Sequence, residues 1–228
     1  MEKIIEAIIE WDVVNWARAI DYWSKNIDIK SSNYTCLELG GRGGGLSLWL
    51  AINGNQVMCS DLTSPEEIAF YLHKKYNCTE QITYSAIDAK NIPYQNKFDI
   101  VIFKSILGGI SANNNDKLKK EVIDEIYKSL KPEGKLLFAE NLESSFLHKY
   151  LRKKFVNWGS RWNYLKYEEI GQVFSSFDQV EYHTVGFFGA FGRSEKQRKL
   201  LGKIDVLCDR LVPKSKRYIV FGIAKKNA

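Results

Sequence analysis

Cysteine is scarce in this chain: 228 residues hold four, Cys36, Cys59, Cys78 and Cys208, with no Cys-x-x-Cys pair and no neighbouring histidine. That spacing excludes a disulfide framework and a cysteine-built metal site, and it predicts reduced thiols, three of them in apolar or strand-like segments. No apolar run reaches the roughly 20 residues of a bilayer-spanning helix. The first residues, MEKIIEAIIEWDVV, carry acids where a secretory leader would carry bases, so the expected compartment is the cytoplasm. Internal repeats, low-complexity linkers and breaks in composition are missing as well, which leaves a single domain over 1–228. With 45% apolar and 26% charged residues the chain is no disordered polyelectrolyte. The net charge of +6 permits an acidic partner, be it nucleic acid, an anionic membrane surface or a phosphorylated substrate, without selecting one.

What is present is an alternation of two periodicities. Ile4, Ile5, Ile8, Ile9, Val13, Trp16, Ala19, Ile20 and Trp23 recur at helical spacing, predicting one or two amphipathic helices ahead of the core, with Trp11, Trp16 and Trp23 as packing anchors. From residue 34 short apolar runs alternate with helical segments. Strands are expected at 35–39, 56–61, 81–88, 97–107 and 135–141, and helices at 46–52, 64–76 and 113–130, with Ser64 capping the second helix and Pro65 at its first position. Beyond them lie a basic helical region (146–156), a Trp/Tyr-rich stretch (157–167), a helix (168–177), a strand (179–188), an inserted helix (about 194–211) and a strand (217–226). Strand and helix repeated in this way predict an α/β fold, a parallel sheet covered on both faces.

The strongest local signal is LELGGRGGGLSLWLA, Leu37 to Ala51, where an acid, Glu38, ends the first strand and a glycine-rich turn opens a helix. Such turns let a ligand lie against main-chain atoms. The phosphate-loop pattern fails because Leu46 and Ser47 stand where lysine is required, and the dinucleotide pattern fails because position 46 is leucine. What remains, E-x-G-x-x-G-G at a strand end, resembles motif I of class I S-adenosylmethionine-dependent methyltransferases. Ile87 to Tyr94, Phe98 to Phe103 and Leu130 to Leu137 resemble that family's later segments in the expected order, over residues 34–142 closely and 166–226 loosely. The likeness is to uncharacterised bacterial small-molecule members. It implies a seven-stranded, mostly parallel sheet with helices on both faces and an antiparallel final strand. The parts would be a helical cap (1–30), a cofactor-binding core (34–142) and substrate-side elements (143–228).

The resemblance also implies roles. S-adenosyl-L-methionine would be the cofactor. Glu38, Gly40, Gly41, Arg42, Gly43 and Gly44 would form its turn, Asp61 with Leu62 would meet the ribose, and Asp88 with Ala89 the adenine. Lys104, at the end of the fourth strand, completes the set. Asp61 lies 21 residues after Gly40, a placement that NAD enzymes share. Arg42 is a departure: the family has glycine there, so an unchanged turn would point this side chain outwards. Glu38 and Asp61 also read as acids capping the helices that follow, and Asp88 as a loop acid.

Methyl transfer to a hydroxyl requires a base. With three histidines in the chain, His148 and Glu140 are the candidates, each with a plainer reading as a surface or capping residue. Strand four lacks the (Asn/Asp)-Pro-Pro-(Tyr/Phe) run of amino-methylating nucleic-acid enzymes, no proline precedes a cysteine, and lysine and serine stand where the metal-dependent type has an acid. These absences favour a metal-independent enzyme acting on a small molecule, with O-methylation of a glycosyl or other anionic metabolite expected. Trp158, Arg161, Trp162 and Tyr164 offer stacking faces and an anion partner for that acceptor. Gly186 to Gly192 either walls the same pocket or packs under the insertion. Lys149, Arg152, Lys153 and Lys154 read as a solvated helix face. An RNA or protein methyltransferase using the basic C-terminal region, and a non-catalytic cofactor-binding subunit or sensor, are the alternatives; oligomeric state is left open.

Overall fold

The computed structural model describes residues 2–155 and 161–227. In chain order these form α1 (Glu2–Ile9), α2 (Val13–Asn26), β1 (Thr35–Leu39), α3 (Gly45–Ile52), β2 (Gln56–Asp61), α4 (Glu66–Lys75), β3 (Ile82–Ala86) and β4 (Phe98–Lys104). Then come α5 (Leu107–Ile110), α6 (Lys117–Ser129), β5 (Leu130–Asn141), α7 (Phe146–Phe155), α8 (Ile170–Val173), β6 (Gln179–Val185), α9 (Glu195–Cys208) and β7 (Ile219–Lys225). The seven strands make one sheet in the order β3-β2-β1-β4-β5-β7-β6. Strands β1 to β5 pair in parallel, and β7 inserts antiparallel to both β5 and β6. This is the mostly parallel, seven-stranded sheet of the class I methyltransferase fold.

The central strands are apolar on both faces because both faces are covered. On one face Cys36, Ile100, Ile102 and Leu137 pack with Trp16, Trp23 and Leu50 from α2 and α3. On the other, Leu37, Val101, Phe103 and Phe138 pack with Val122, Ile123 and Ile126 of α6. Of the four thiols, Cys36, Cys59 and Cys78 are buried and Cys208 is half-buried, all of them free.

Several boundaries differ from the sequence expectation. Helix α4 begins at Glu66, with Pro65 as its cap, and the Ser64 hydroxyl only reaches the Glu66 N–H at 3.5 Å. The helix expected over 168–177 is a 3-10 turn at Tyr167–Glu169 followed by the single turn α8. Strand β5 starts at Leu130, earlier than the Lys-Pro-Glu-Gly turn suggested: Leu130 pairs with Phe98, Lys135 pairs with Ile100, and residues 131–134 bulge between them. Strand β6 stops at Val185, since Gly186 turns left-handed at φ +77°. No helix among the described residues is long and apolar enough to cross a membrane.

Helices α1 and α2 do not float ahead of the core. They meet at Glu10 and Asp12, both left-handed at φ +71° and +48°, and this joint lies over the carboxyl edge of the sheet. Glu195, on α9, accepts from the Asp12 and Val13 N–H groups at 2.9 and 3.0 Å, so the insertion caps the N-terminus of α2.

Candidate functional site

Glu38 leaves β1 almost fully buried, at 4% exposure. Its Oε2 accepts from the Ser47 N–H at 2.8 Å and from the Ser47 hydroxyl, tying the strand end to the first turn of α3. Burial outweighs those bonds and pushes the carboxyl up to about 7. In the following turn the Gly41 N–H reaches Ser60 O at 2.7 Å. Arg42 takes a left-handed conformation, φ +38°, and donates its backbone N–H to Asp61 Oδ2 at 3.1 Å. Gly44 is left-handed at φ +73°, and a Cβ on it would lie 2.4 Å from His73 Nε2, so both backbone and space demand glycine there.

The turn opens onto a cavity of about 770 Å³ at the carboxyl edge of the sheet. Glu38, Gly40, Gly41, Arg42 and Lys104 line one side of it, and Trp162, Tyr164 and Arg152 another. Ser105 and Asn141, at the ends of β4 and β5, are joined by a 2.6 Å hydrogen bond and also face it. Lys104 donates to the Ile9 carbonyl and sits 5.5 Å from the Trp11 ring and 5.8 Å from the Trp16 ring. Burial draws its pKa down to about 8.

A buried polar network closes the cavity on the side of α2. Tyr218 donates its hydroxyl to Asp12, and Asn15 Nδ2 lies 2.9 Å from both Tyr218 Oη and Asp205 Oδ2. Asp205 in turn accepts from the backbone N–H groups of Phe187, Phe188 and Gly189 at 2.9, 2.7 and 2.8 Å. Desolvation pushes the Asp12 carboxyl up to about 7.

The cavity wall thus brings together five of the expected cofactor residues, Glu38, Gly40, Gly41, Arg42 and Lys104, with two of the expected acceptor residues, Trp162 and Tyr164. Gly43, Gly44, Asp61, Leu62, Asp88 and Ala89 are not on that wall. Asp61 holds the Arg42 and Leu62 N–H groups, and Asp88 holds the Lys90 N–H at 3.0 Å. Arg161 is exposed and off the wall. Trp158 lies outside the described residues.

Neither candidate base offers a free atom. His148 is 1% exposed, with Nδ1 on the Ser145 hydroxyl at 2.7 Å and Nε2 on the Phe187 carbonyl at 2.9 Å, and burial lowers its pKa to about 4. It packs between the rings of Phe187 and Phe191, so the basic helix buries its histidine instead of presenting it. Glu140 is fully buried; its Oε2 accepts from the Leu107 N–H at 2.7 Å and its Oε1 from the Asn141 N–H at 2.8 Å. It holds the loop after β4, the capping role.

Sequence reasoning missed the α1–α2 joint, with Glu10, Trp11 and Asp12 on the wall, and it missed Tyr218, because their partners lie at the far end of the chain. It also left Arg152 among solvated bases. Arg152 follows His148 by four residues and shares its inward face of α7, but nothing in the sequence marks that face as the inward one.

Comparison with known proteins agrees with this geometry. A family model of the methyltransferase domain matches residues 37–138. No curated protein matches the chain. Among solved structures, the 4+2 cyclase SpnF superposes with a TM-score of 0.66 at 17% identity, over 92% of this chain and 80% of that one. Phosphoethanolamine N-methyltransferase 2 of Haemonchus contortus, in complex with phosphomonomethylethanolamine and S-adenosylhomocysteine, gives 0.64 at 18%, over 93% of this chain and 53% of that one, so the chain spans about half its length. The YcgJ protein of Bacillus subtilis gives 0.61 at 14%, over 92% and 99%. At these identities the likeness is one of fold, and a cyclase on the same fold warns against reading chemistry from architecture. The firmer ground is residues 37–138, which match the methyltransferase domain across the first five strands and carry the glycine turn at the end of β1, within a sheet of the class I methyltransferase fold.

Proposed function

We propose that the chain methylates a small-molecule acceptor, at an oxygen of a glycosyl or other anionic metabolite. The observation that carries this is the cavity itself: about 770 Å³, shared by the glycine turn and by an aromatic and cationic wall, a volume typical of small-ligand sites. The basic segment does not support a polyanion groove, since Lys149 is paired with Glu143 at 2.6 Å and Arg152 turns inward.

The chemistry of the residues suits the cofactor. Its amino-acid end carries an ammonium and a carboxylate, and the wall beside the glycine turn carries the Glu38 carboxyl and the Lys104 and Arg42 cations. In this reading Gly40, Gly41, Gly43 and Gly44 let its chain lie on the backbone, Asp61 with Leu62 takes the ribose, and Asp88 with Ala89 the adenine. S-adenosylmethionine supplies, when bound, an electrophilic methyl group. The protein contributes orientation and exclusion of water, the main sources of rate in such a transfer. Asp12, on the cavity wall beside Tyr218, is an acid whose carboxyl burial raises to about 7.

Calorimetry with S-adenosylmethionine, S-adenosylhomocysteine and NADH tests the cofactor half of the proposal. Both sulfur nucleotides should bind and NADH should not. Asp61→Ala should weaken them roughly 10- to 100-fold, the worth of charge-assisted hydrogen bonds. Asp61→Asn, which keeps an acceptor for the Arg42 N–H, separates a ribose contact from a collapsed turn. Undiminished binding by Asp61→Ala would defeat the assignment.

A pH dependence follows from Glu38. Its carboxyl is held near 7 by burial, and an ammonium beside it favours the ionised form, so binding should expel a proton. Affinity should therefore rise as pH goes from about 5.5 to 7.5, by at most about tenfold per unit. Glu38→Gln should flatten the slope; an equal slope in that variant would place the titrating group elsewhere.

A further inference from the structure

Arg152 is a cation of the cavity with no ion-pair contact among the described residues. Its Nη1 donates to the carbonyls of Leu142 and Glu143 at 2.7 and 3.2 Å, which fixes the guanidinium plane 4.2 Å above the Tyr164 ring. Among the described residues no acceptor meets its Nε or Nη2, and no carboxylate lies within ion-pair distance of it. The Glu143 carboxylate is taken by Lys149. The Tyr164 hydroxyl is equally enclosed, with no hydrogen-bond partner among the described residues. Both side chains line the cavity. Burial lowers the Arg152 pKa, outweighing the nearby Tyr164, Tyr218 and Glu143, the signature of a group drawn out of water at a cost.

The Nε–H and one Nη2–H run parallel along one edge of the planar fork, and with the phenol O–H beneath they match an oxyanion better than any neutral group. We infer that Arg152 and Tyr164 form a subsite for an oxyanion of the acceptor, a carboxylate or a phosphate. The inference rests on the reading of the cavity as an acceptor site, and it adds what that reading lacks, the residues that select charge. Other charged groups face the same space from other elements: Arg42 and Lys104 at the ends of β1 and β4, Arg198 on α9, and the acids Glu10, Asp12 and Glu38. Of those acids Glu38 is bound to Ser47 and Asp12 to Tyr218, and neither is paired with Arg152. The Arg152 subsite is held by α7, after β5, whereas the zwitterion-matching pair Glu38 and Lys104 lies at the ends of β1 and β4.

The test uses the full chain, with inorganic phosphate and acetate as probes against chloride at matched ionic strength, read by melting temperature and by titration. S-adenosylhomocysteine affinity is measured in parallel. Phosphate, acetate or both should raise the melting temperature above chloride, and which one does so identifies the oxyanion. Arg152→Gln should weaken that binding at least tenfold and Tyr164→Phe, which keeps the ring, at least threefold. Arg161→Gln, exposed and off the wall, should stay within twofold, and S-adenosylhomocysteine affinity should hold in all three. The inference is overturned if neither anion outperforms chloride, if Arg152→Gln binds like the parent, or if its S-adenosylhomocysteine affinity falls in step. Should Arg152→Gln not fold, Tyr164→Phe decides: unchanged anion binding there overturns it. A parent that binds phosphate through Arg152 but no S-adenosylhomocysteine would instead sink the methyltransferase reading and keep the subsite.

Discussion

Asp205→Ala will destabilise the fold by about 3–5 kcal/mol, more than a typical surface substitution and comparable with truncating a large core side chain. One carboxylate, 1% exposed, gathers three successive backbone N–H groups, those of Phe187, Phe188 and Gly189, and the amide of Asn15. Alanine removes the acceptor of all three backbone donors, while Asn15 Nδ2 keeps Tyr218 and Asp12, and each buried donor left unpaired costs roughly 1–3 kcal/mol before relaxation. The loss should spread to the site, because Asn15 also hydrogen-bonds Tyr218, Tyr218 bonds Asp12, and both Asp12 and Tyr218 line the cavity. Asp205→Asn, which keeps one carbonyl oxygen for some of those donors, should fall between. Urea unfolding followed by intrinsic fluorescence measures the cost, with S-adenosylhomocysteine titration beside it. A loss below about 1 kcal/mol would mean that solvent reaches these donors.

Gly45→Ala should act through α1. A Cβ at residue 45 would stand 2.1 Å from the Ile8 carbonyl oxygen and 2.8 Å from its carbon. These are backbone atoms, so no rotamer change relieves the contact, and α1 must shift away from α3. Overpacking of this kind costs about 1–3 kcal/mol. The larger effect is expected on binding, since Ile8, Glu10, Trp11 and Asp12 move with α1 and all four line the cavity. A drop of tenfold or more in S-adenosylhomocysteine affinity, about 1.4 kcal/mol, is the expected reading. Gly171→Ala is the matched control: a helical glycine with nothing within 4 Å of the added carbon, it should leave stability and affinity nearly unchanged. If Gly45→Ala binds like the parent, α1 is no part of the site.

The parallel core was legible because its signals are local. Glu38, the glycine turn and the apolar runs of β4 and β5 carry their meaning within a few residues, and fully buried strands announce themselves by unbroken apolar sequence. The glycines also have reasons the motif did not give: positions 44 and 45 are packed against His73 and Ile8. Both base candidates are enclosed, and for a physical cause. A histidine on a basic helix gives no sequence sign of which face it occupies, and His148 lies inward, enclosed by Phe187, Phe191 and Tyr218 from elements far along the chain. The helix expected over 168–177 shrank to a turn because tertiary packing of Ile170, Val173 and Phe174 on the sheet, not propensity, fixes that segment.

The joint between α1 and α2 has a bearing on how the molecule comes into being. Asp12 meets Glu195 across 183 residues and Tyr218 across 206, so the near wall of the cavity is made from the two ends of the chain. During synthesis the glycine turn and β1 to β4 emerge early and can pair with one another, yet the wall over them waits for the last strand. Contacts so distant in sequence also carry the highest loop-closure cost and form late. The cofactor turn is therefore among the first parts of the sheet to be made and among the last to be enclosed. A nascent chain halted before Tyr218 would hold every residue of motif I and still lack the pocket.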